Sequence, residues 1–221
     1  MTTLQIDSVF FRRRGQRSLL SDVSFVCNTG EIVAIVGRNG AGKTTLAELL
    51  LGINKVGTAN VRVDGIYVPP VRRHRYITYL PQHSCFPKDA TVNQLIRLCL
   101  RSQQADHFLL RHDWVRTIRK ARVEELSAGQ SRLLEILVLC ARNSAFLILD
   151  EPFSRIDPIT LQDIRDFLRQ ESRTKGIIAI DHNYRDLASI ATKSLLLRDG
   201  QLIETTSENQ LIDQDFLPRG P

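Results

Sequence analysis

Short apolar runs, separated by turn residues and polar stretches, dominate the pattern of this chain. In its N-terminal part, alternation of apolar and polar positions or a short, wholly apolar run predicts strands. The predicted strands are residues 4–10, 23–26, 32–36, 61–63, 66–68 and 77–80. A turn at Asp64-Gly65 joins two of them in a hairpin, which Pro69-Pro70 ends. We therefore expect an antiparallel start to the fold.

A helical pattern follows, and the chain then alternates between strands and helices. Leucines and isoleucines recur on one side of residues 91–120, where Thr91 is a suitable N-cap. The later predicted elements are helices at 128–142, 161–170 and 184–190, strands at 146–149 and 177–180, and a hairpin around Asp199-Gly200. This order indicates one α/β domain over residues 1–221 with a mostly parallel sheet, an antiparallel β subdomain and a small helical subdomain at about 88–142.

The apolar run 32–36 leads into a glycine-rich segment that matches the phosphate-binding pattern G-x-x-x-x-G-K-[ST] in full. Its residues are Gly37, Arg38, Asn39, Gly40, Ala41, Gly42, Lys43, Thr44 and Thr45. The glycines let successive N–H groups converge on phosphate oxygens, and the following helix points its positive dipole end at the same anion. Lys43 would neutralise the β- and γ-phosphates, and Thr44 would offer its hydroxyl to Mg²⁺. This P-loop predicts a nucleoside triphosphate site.

Two carboxylates end the apolar strand at 146–149. Asp150, at the strand end, can hold Mg²⁺ or its bound water. Glu151, one residue further on, points elsewhere and could polarise the attacking water. Mg²⁺ and Lys43 would compensate the charge that develops on the γ-phosphate. Together with the P-loop, this pair predicts nucleotide hydrolysis.

Composition is that of a soluble globular chain, with 221 residues, 43% hydrophobic and 24% charged. No apolar run approaches the roughly 20 residues of a membrane helix, and the N-terminus lacks a basic segment followed by an apolar one. Four scattered cysteines, Cys27, Cys85, Cys99 and Cys140, form no C-x-x-C pair. We expect free thiols in a reducing cytosol, with Cys140 in the core, and a protein that is neither secreted nor membrane-spanning by itself.

The net charge of +6 leaves two interpretations open. It could indicate nucleic acid or an anionic lipid surface, or nothing specific. The basic clusters are Arg12-Arg13-Arg14 with Arg17, Arg72-Arg73-His74-Arg75, and Arg116, Arg119, Lys120 and Arg122. Since they are not interleaved with aromatic residues as in a base-stacking surface, solvated faces are the favoured interpretation, and no nucleic acid partner is expected.

Between the two motifs lies Leu126-Ser127-Ala128-Gly129-Gln130, directly before a predicted helix. With it the chain resembles, over nearly its whole length, the ATP-binding cassette ATPases, whose signature is usually Leu-Ser-Gly-Gly-Gln. The resemblance implies an ABC-type P-loop ATPase with a RecA-like core that binds ATP and Mg²⁺. Residues 127–130 would grip the γ-phosphate held by a second copy's P-loop. Ala128 departs from the usual glycine, and because alanine tolerates φ > 0 less well, the geometry could be slightly constrained.

Other residues take roles only through this resemblance. Gln82 is similar to the Q-loop glutamine, a catalytic residue and Mg²⁺ ligand, and His182 to the catalytic switch histidine. Ser154-Arg155-Ile156-Asp157 resembles the D-loop, in which Asp157 would contact the nucleotide site. The aromatic residue that stacks on adenine aligns with Arg13, whose guanidinium can also stack on a base. Phe11 is the competing candidate, and a solvated Arg13 is the third interpretation.

The resemblance also implies a function and its partners. It identifies an ATPase subunit that powers a membrane permease and works as a homodimer, or as a heterodimer with a related ATPase. The helical subdomain would dock on the permease, which places the subunit in the cytoplasm on the inner face of the membrane. The residues of these motifs are most similar to those of the subgroup that powers lipopolysaccharide export and branched-chain amino-acid import. The alternative is a soluble cassette ATPase that acts on DNA or the ribosome.

Overall fold

The structure is a computed structural model that describes residues 1–12, 15, 17–84, 86–154, 156–205, 207–213 and 216. An antiparallel sheet begins the fold, as expected. Its strands are β1 (Thr3–Arg12), β2 (Ser18–Asn28), β4 (Thr58–Val63) and β5 (Ile66–Tyr67). Their order in the sheet is β2-β1-β4-β5. The β4–β5 hairpin turns at Asp64-Gly65, where both residues have positive φ, as its two-residue turn requires.

A second, six-stranded sheet forms the centre of the molecule. Its strands are β3 (Ile32–Val36), β6 (Ile77–Leu80), β7 (Phe146–Asp150), β8 (Gly176–Asp181), β9 (Lys193–Arg198) and β10 (Gln201–Thr205). They lie in the order β10-β9-β3-β8-β7-β6. Among the strand pairings of the described residues in this sheet, the β9–β10 pairing alone is antiparallel, which confirms the mostly parallel sheet.

Helices connect these strands. They are α1 (Lys43–Leu51), α2 (Val92–Cys99), α3 (Ser102–Arg111), α4 (Asp113–Ile118), α5 (Ala128–Cys140), α6 (Pro158–Ser172), α7 (Tyr184–Ala188) and α8 (Glu208–Asp213). Helix α1 ends at Gly52, which adopts the left-handed conformation with φ 74°. Thr91 caps α2 in a capping box with Gln94. The helical stretch 91–120 is thus three short helices.

Three layers bury the faces of these elements. Helix α1 and the antiparallel sheet cover one face of the central sheet, and α5, α6 and α7 cover the other. Helices α2 to α4 form a separate cluster against one side of α5, through Leu134, Leu137 and Val138. The opposite side of α5, with Ile136, Leu139 and Cys140, faces the sheet. Helix α5 therefore connects the helical layer to the core.

Arg73 and two of the cysteines are buried in the structure. Arg73 was expected on a solvated face, which is wrong, because it is 2% exposed and donates hydrogen bonds to backbone carbonyls. Cys27 and Cys140 are buried free thiols, as expected for Cys140, whereas Cys85 lies outside the described residues. Within the described residues, no helix has the length and apolar character needed to cross a membrane.

Candidate functional site

The carboxyl ends of four parallel strands bring the predicted motifs to one edge of the central sheet. In the sheet register, Val36 at the end of β3 lies opposite Asp181 of β8, and Asp150 of β7 lies opposite Ile180. Leu80, at the end of β6, pairs with Leu149 of β7. The P-loop, the Asp150-Glu151 pair, His182 and Gln82 therefore emerge side by side.

A cavity of about 650 Å³ lies over the P-loop at this edge. Its walls include P-loop residues, Gln82 and Glu151, together with Arg17 and the first two residues of β2. The lining residues are Arg17, Ser18, Leu19, Asn39, Gly40, Gly42, Lys43, Thr44, Thr45, Gln82 and Glu151. Ser18 and Leu19 were not predicted as site residues, because no local signal in the sequence distinguishes them.

Lys43 begins α1 inside this cavity and is buried. Its Nζ donates hydrogen bonds to the carbonyl oxygens of Gly37 at 2.7 Å and Arg38 at 3.1 Å. Burial lowers the pKa of Lys43, while the carboxylates of Glu151, Asp181 and Asp150 act against that shift. The ammonium thus hydrogen-bonds to the P-loop backbone within the electrostatic influence of three carboxylates.

Asp150 is buried at the end of β7, with 1% exposure. The hydroxyl of Tyr79 donates a hydrogen bond to its Oδ2 at 3.3 Å. Burial raises the pKa of Asp150, and hydrogen bonds from Thr44 and Tyr79 act against the shift. A buried carboxylate beside a threonine hydroxyl is a donor set of hard oxygens, which suits Mg²⁺. Tyr79 was not singled out from the sequence, because it lies in an ordinary apolar strand pattern.

Glu151 has an unusual backbone conformation with φ 47°, in the left-handed region that non-glycine residues seldom adopt. Its amide donates to the carbonyl oxygen of Ile180 at 2.7 Å, which ties it to the neighbouring strand. Its Oε1 lies 3.4 Å from Nδ1 of His182. The same nitrogen is 3.2 Å from Oδ1 of Asp181. The structure therefore brings together Glu151 and His182, two residues far apart in the sequence.

The signature segment, Ser127–Gln130, forms the N-terminus of α5 in a capping box. Ser127 Oγ accepts from the Gln130 amide at 3.1 Å, and Gln130 Oε1 accepts from the Ser127 amide at 3.0 Å. Ala128 is the first helical residue and is absent from the positive-φ residues of the described chain, so the expected constraint on it does not arise. A Cβ at Gly129 would lie 3.0 Å from Asp157 Oδ2, so a larger residue there would force the Asp157 side chain to shift by a few tenths of an ångström.

Asp157 lies at the N-terminus of a helix, and its contact with the nucleotide site stays a prediction. Asp157 caps α6, since its Oδ1 accepts from the amides of Ile159 at 3.1 Å and Thr160 at 2.9 Å. Arg13 lies outside the described residues. The ring of Phe11 belongs to the hydrophobic core with 7% exposure, which removes it as an adenine platform. Among the described residues, no member of the signature segment lines the P-loop cavity of its own chain.

A P-loop after β3, a histidine directly after the neighbouring strand β8, and two carboxylates at the end of β7, the next strand, define a P-loop nucleoside triphosphatase. Comparison with known proteins narrows this class. The family model described as ABC transporter matches residues 20–154, more than half of the chain. The chain belongs to the ABC transporter family and is an ATP-binding subunit of the kind that hydrolyses ATP to drive transport.

Curated relatives and solved structures agree with this assignment. The lipopolysaccharide export system ATP-binding protein LptB of Haemophilus influenzae is 31% identical, over 92% of this chain and 90% of its own length. The protein of the same name from Escherichia coli K12 is 30% identical, over 99% and 96%. A nucleotide-free ATP-binding cassette from an ABC transporter superposes with a TM-score of 0.83 at 21% identity, over 99% of this chain and 96% of that one. It supports the fold.

Proposed function

We propose that two copies of this chain close face to face around two ATP molecules and thereby drive a membrane permease. The arrangement of the motifs supports the dimer. The P-loop, Asp150, Glu151 and His182 share one sheet edge, whereas the signature segment begins α5 and does not line that cavity in the described chain. First-turn amides of a helix have no intrahelical partner and suit an anion. A second copy would bring them to the γ-phosphate.

Mg²⁺ would be held by Asp150, Thr44 and Gln82 together with phosphate oxygens. Among the described residues, no group of three or more His, Cys, Asp or Glu side chains could hold a metal, so the proposed site depends on hydroxyl, amide and phosphate oxygens as well. When bound, Mg²⁺ supplies positive charge to the phosphates. Lys43 would bind the β- and γ-phosphates from the P-loop.

Glu151 would orient and deprotonate the attacking water, because its carboxylate lines the cavity and projects from the same edge as Lys43. His182, at 3.4 Å from that carboxylate, would fix its direction and contact the γ-phosphate. Gln82 lines the cavity at the start of the chain segment that leads into α2. It would sense the nucleotide and relay its presence to the helical layer.

The helical subdomain, residues 88–142, is the proposed permease contact. Helices α2 to α4 have their own apolar cluster and join the core through α5. A permease segment that binds this layer would therefore move with the signature segment. Docking would place the subunit on the inner face of the membrane. The relatives named for lipopolysaccharide export make a lipid exporter the first permease class to test by co-purification from detergent extracts.

The role of Glu151 is tested by Glu151→Gln. We expect ATP affinity to remain, turnover to fall by roughly 10² or more as for loss of a positioned base, and an ATP-dependent dimer to accumulate. Steady-state hydrolysis, nucleotide titration and light scattering measure the three quantities. Glu204→Gln, an exposed carboxylate on β10, is the matched control. Turnover close to that of the control would refute the assignment.

The composite site is tested separately by Ser127→Arg. Arginine at this position removes the Ser127 cap, adds a positive charge at the positive end of the α5 dipole and fills the space that a second copy's phosphate would occupy. The ATP-dependent dimer should be lost while the monomer keeps its ATP affinity. Ser24→Arg, at an exposed position on β2, controls for added charge. A dimer that persists in Ser127→Arg would contradict the face-to-face arrangement.

A further inference from the structure

Helix α5 carries a buried guanidinium that contacts the catalytic edge of the sheet. Arg132 lies two residues after the signature segment and is 8% exposed. Its Nη2 donates to the carbonyl oxygens of Asp150 at 2.6 Å and Glu151 at 3.0 Å. Its Nη1 donates to the carbonyl oxygen of Pro81 at 2.9 Å. One side chain thus holds the backbone of both carboxylate residues and of the residue that precedes Gln82.

Glu135, the next acidic residue along α5, accompanies this guanidinium. Its Oε2 lies 3.1 Å from Arg132 Nη1, and its side chain is almost fully buried. Its Oε1 has no hydrogen-bond partner among the described residues. Buried ion pairs are costly to desolvate and often contribute no net stability compared with apolar residues of similar size. A contribution to stability therefore does not explain why this ion pair is buried. The three hydrogen bonds from Arg132 to backbone carbonyls at the catalytic edge do explain it.

The backbone of Glu151 needs such support. Its φ of 47° lies in a region that is unfavourable for an L-residue by roughly 1–2 kcal/mol. Three hydrogen bonds hold the backbone of this residue: its amide donates to Ile180, and its carbonyl oxygen accepts from Arg132 at 3.0 Å and from the Ser154 amide at 3.4 Å. Without Arg132, only the longer of the two carbonyl contacts restrains the peptide after Glu151, which can then rotate and carry the carboxylate away from His182. A displacement of about 1 Å at a reacting group is enough to slow a reaction by roughly 10².

We propose that Arg132 is a positioning residue for ATP hydrolysis. It fixes Glu151 and the start of the Gln82 segment in one arrangement and ties both to the helix that begins with the signature segment. The inference rests on the proposed role of Glu151. It adds a physical connection: a shift of α5 when the signature segment meets the partner copy's nucleotide moves the carbonyl contacts at Asp150, Glu151 and Pro81 as a unit.

The test compares Arg132→Met/Glu135→Gln with Glu135→Gln. Removal of Arg132 alone would leave the Glu135 charge uncompensated, so the double variant removes both charges and keeps side chains of similar size. Glu135→Gln retains the three carbonyl contacts of Arg132 and is the control. We expect kcat of the double variant to fall about 10- to 100-fold below the control. KM for ATP should stay within roughly two-fold, because no contact to the nucleotide is lost.

Arg132→Lys provides a second variant that keeps the charge beside Glu135. A single ammonium cannot span three carbonyl oxygens as the planar guanidinium does, so kcat should again fall while KM is retained. Thermal unfolding and ATP-dependent dimerisation are measured on the same samples. A kcat equal to that of Glu135→Gln in a folded double variant, or an unaffected kcat in Arg132→Lys, would overturn the inference.

Measurement of Glu151→Gln in parallel distinguishes a failure of the positioning role of Arg132 from a failure of the proposed role of Glu151. If Glu151→Gln is inactive and the Arg132 variants turn over normally, the positioning role is wrong and the proposed function stands. If Glu151→Gln turns over normally, the proposed base is wrong, and the inference about Arg132 is overturned with it. If Glu151→Gln is inactive and the Arg132 variants lose kcat alone, both are supported.

Discussion

Arg73 is expected to be one of the most sensitive positions in the fold, although it lies in a basic stretch that suggests a solvated surface. Its Nη1 donates to the carbonyl oxygen of Leu49 at 2.6 Å and of Leu50 at 3.3 Å. These carbonyls belong to the last turn of α1, which lacks the donors of a following helical turn, although the Gly52 amide also donates to the Leu49 carbonyl oxygen at 3.1 Å. Nη2 and Nε reach the carbonyl oxygens of Ala59 at 2.7 Å and Val68 at 3.2 Å. Arg73 therefore caps the P-loop helix and joins it to the antiparallel sheet.

The magnitude follows from these four acceptors. A hydrogen bond from a charged donor contributes about 1.5–3 kcal/mol net, and the two short contacts carry most of this. The cation also opposes the negative end of the α1 dipole. Desolvation of the guanidinium offsets part of the gain, as its lowered pKa indicates, since burial is the main cause of that shift. For Arg73→Met, which keeps the apolar stem, we expect a loss of about 3 kcal/mol.

Chemical denaturation with a constant m-value, followed by intrinsic fluorescence, measures this loss. For a domain of this length, about 3 kcal/mol corresponds to a fall in Tm of roughly 6–12 °C. Arg72→Met and Arg75→Met alter exposed neighbours in the same 3-10 helix, Pro70–Arg75, and should each change stability by less than about 0.5 kcal/mol. If Arg73→Met costs no more than these controls, the capping argument is refuted.

Three further predictions concern the catalytic edge and its surroundings. Gly129→Ala should weaken ATP-dependent dimerisation in light scattering, because its Cβ would press on Asp157 Oδ2 at 3.0 Å, whereas Ala128→Gly should leave the dimer intact. In the Asp150→Asn variant, folding no longer transfers an ionised carboxylate from water to a buried position. Since burial raises the pKa of Asp150, the folded state of the unaltered protein binds the proton more tightly, and its stability falls as pH rises through the ordinary carboxyl range. The variant has no such pH-dependent loss of stability, so the difference between its Tm and that of the unaltered protein should increase from pH 4 to pH 7. Nucleotide hydrolysis should disappear. A Tm difference that decreases over this pH range would contradict the raised pKa of Asp150. Arg165 Nη2 lies 2.6 Å from Asp186 Oδ1, and a double-mutant cycle of Arg165→Met and Asp186→Asn should give a coupling of about 1 kcal/mol in denaturant unfolding. Additive effects would show that the pair contributes nothing.

Sequence reasoning succeeded where local signals define a boundary. The strands at 32–36 and 77–80 have the predicted bounds, because Gly37 and Pro81 end them directly. The motifs at the carboxyl ends of parallel strands must share one edge of the sheet, so the neighbourhood of the P-loop and Asp150 also followed from the sequence. The division of 91–120 into three helices did not, since no glycine or proline marks the breaks at Leu100 and His112.

Charged residues were the harder case, because burial depends on acceptors that are distant in sequence. Arg73 donates to the carbonyl oxygens of Leu49 and Ala59, and Arg132 donates to those of Pro81 and Asp150. A charged residue is exposed in most proteins, and its exceptional burial is decided by carbonyls that other elements leave unpaired. For Arg132 one signal was present: an arginine and a glutamate three positions apart interrupt an otherwise apolar helix.

Burial of Phe11 changes the argument about adenine. Phe11 pairs with Leu20 across the β1–β2 ladder, so a shift that released its ring would also break the register of the antiparallel sheet. Two guanidinium groups from the same basic cluster then remain as candidates to stack on a base: Arg13 stays a prediction from its place in the motif order, and Arg17 lines the P-loop cavity. A guanidinium stacks on a base but also attracts the triphosphate, which an aromatic ring does not. A platform of this kind ties recognition of the base to that of the charge, so nucleotide affinity becomes more sensitive to ionic strength than with an aromatic platform.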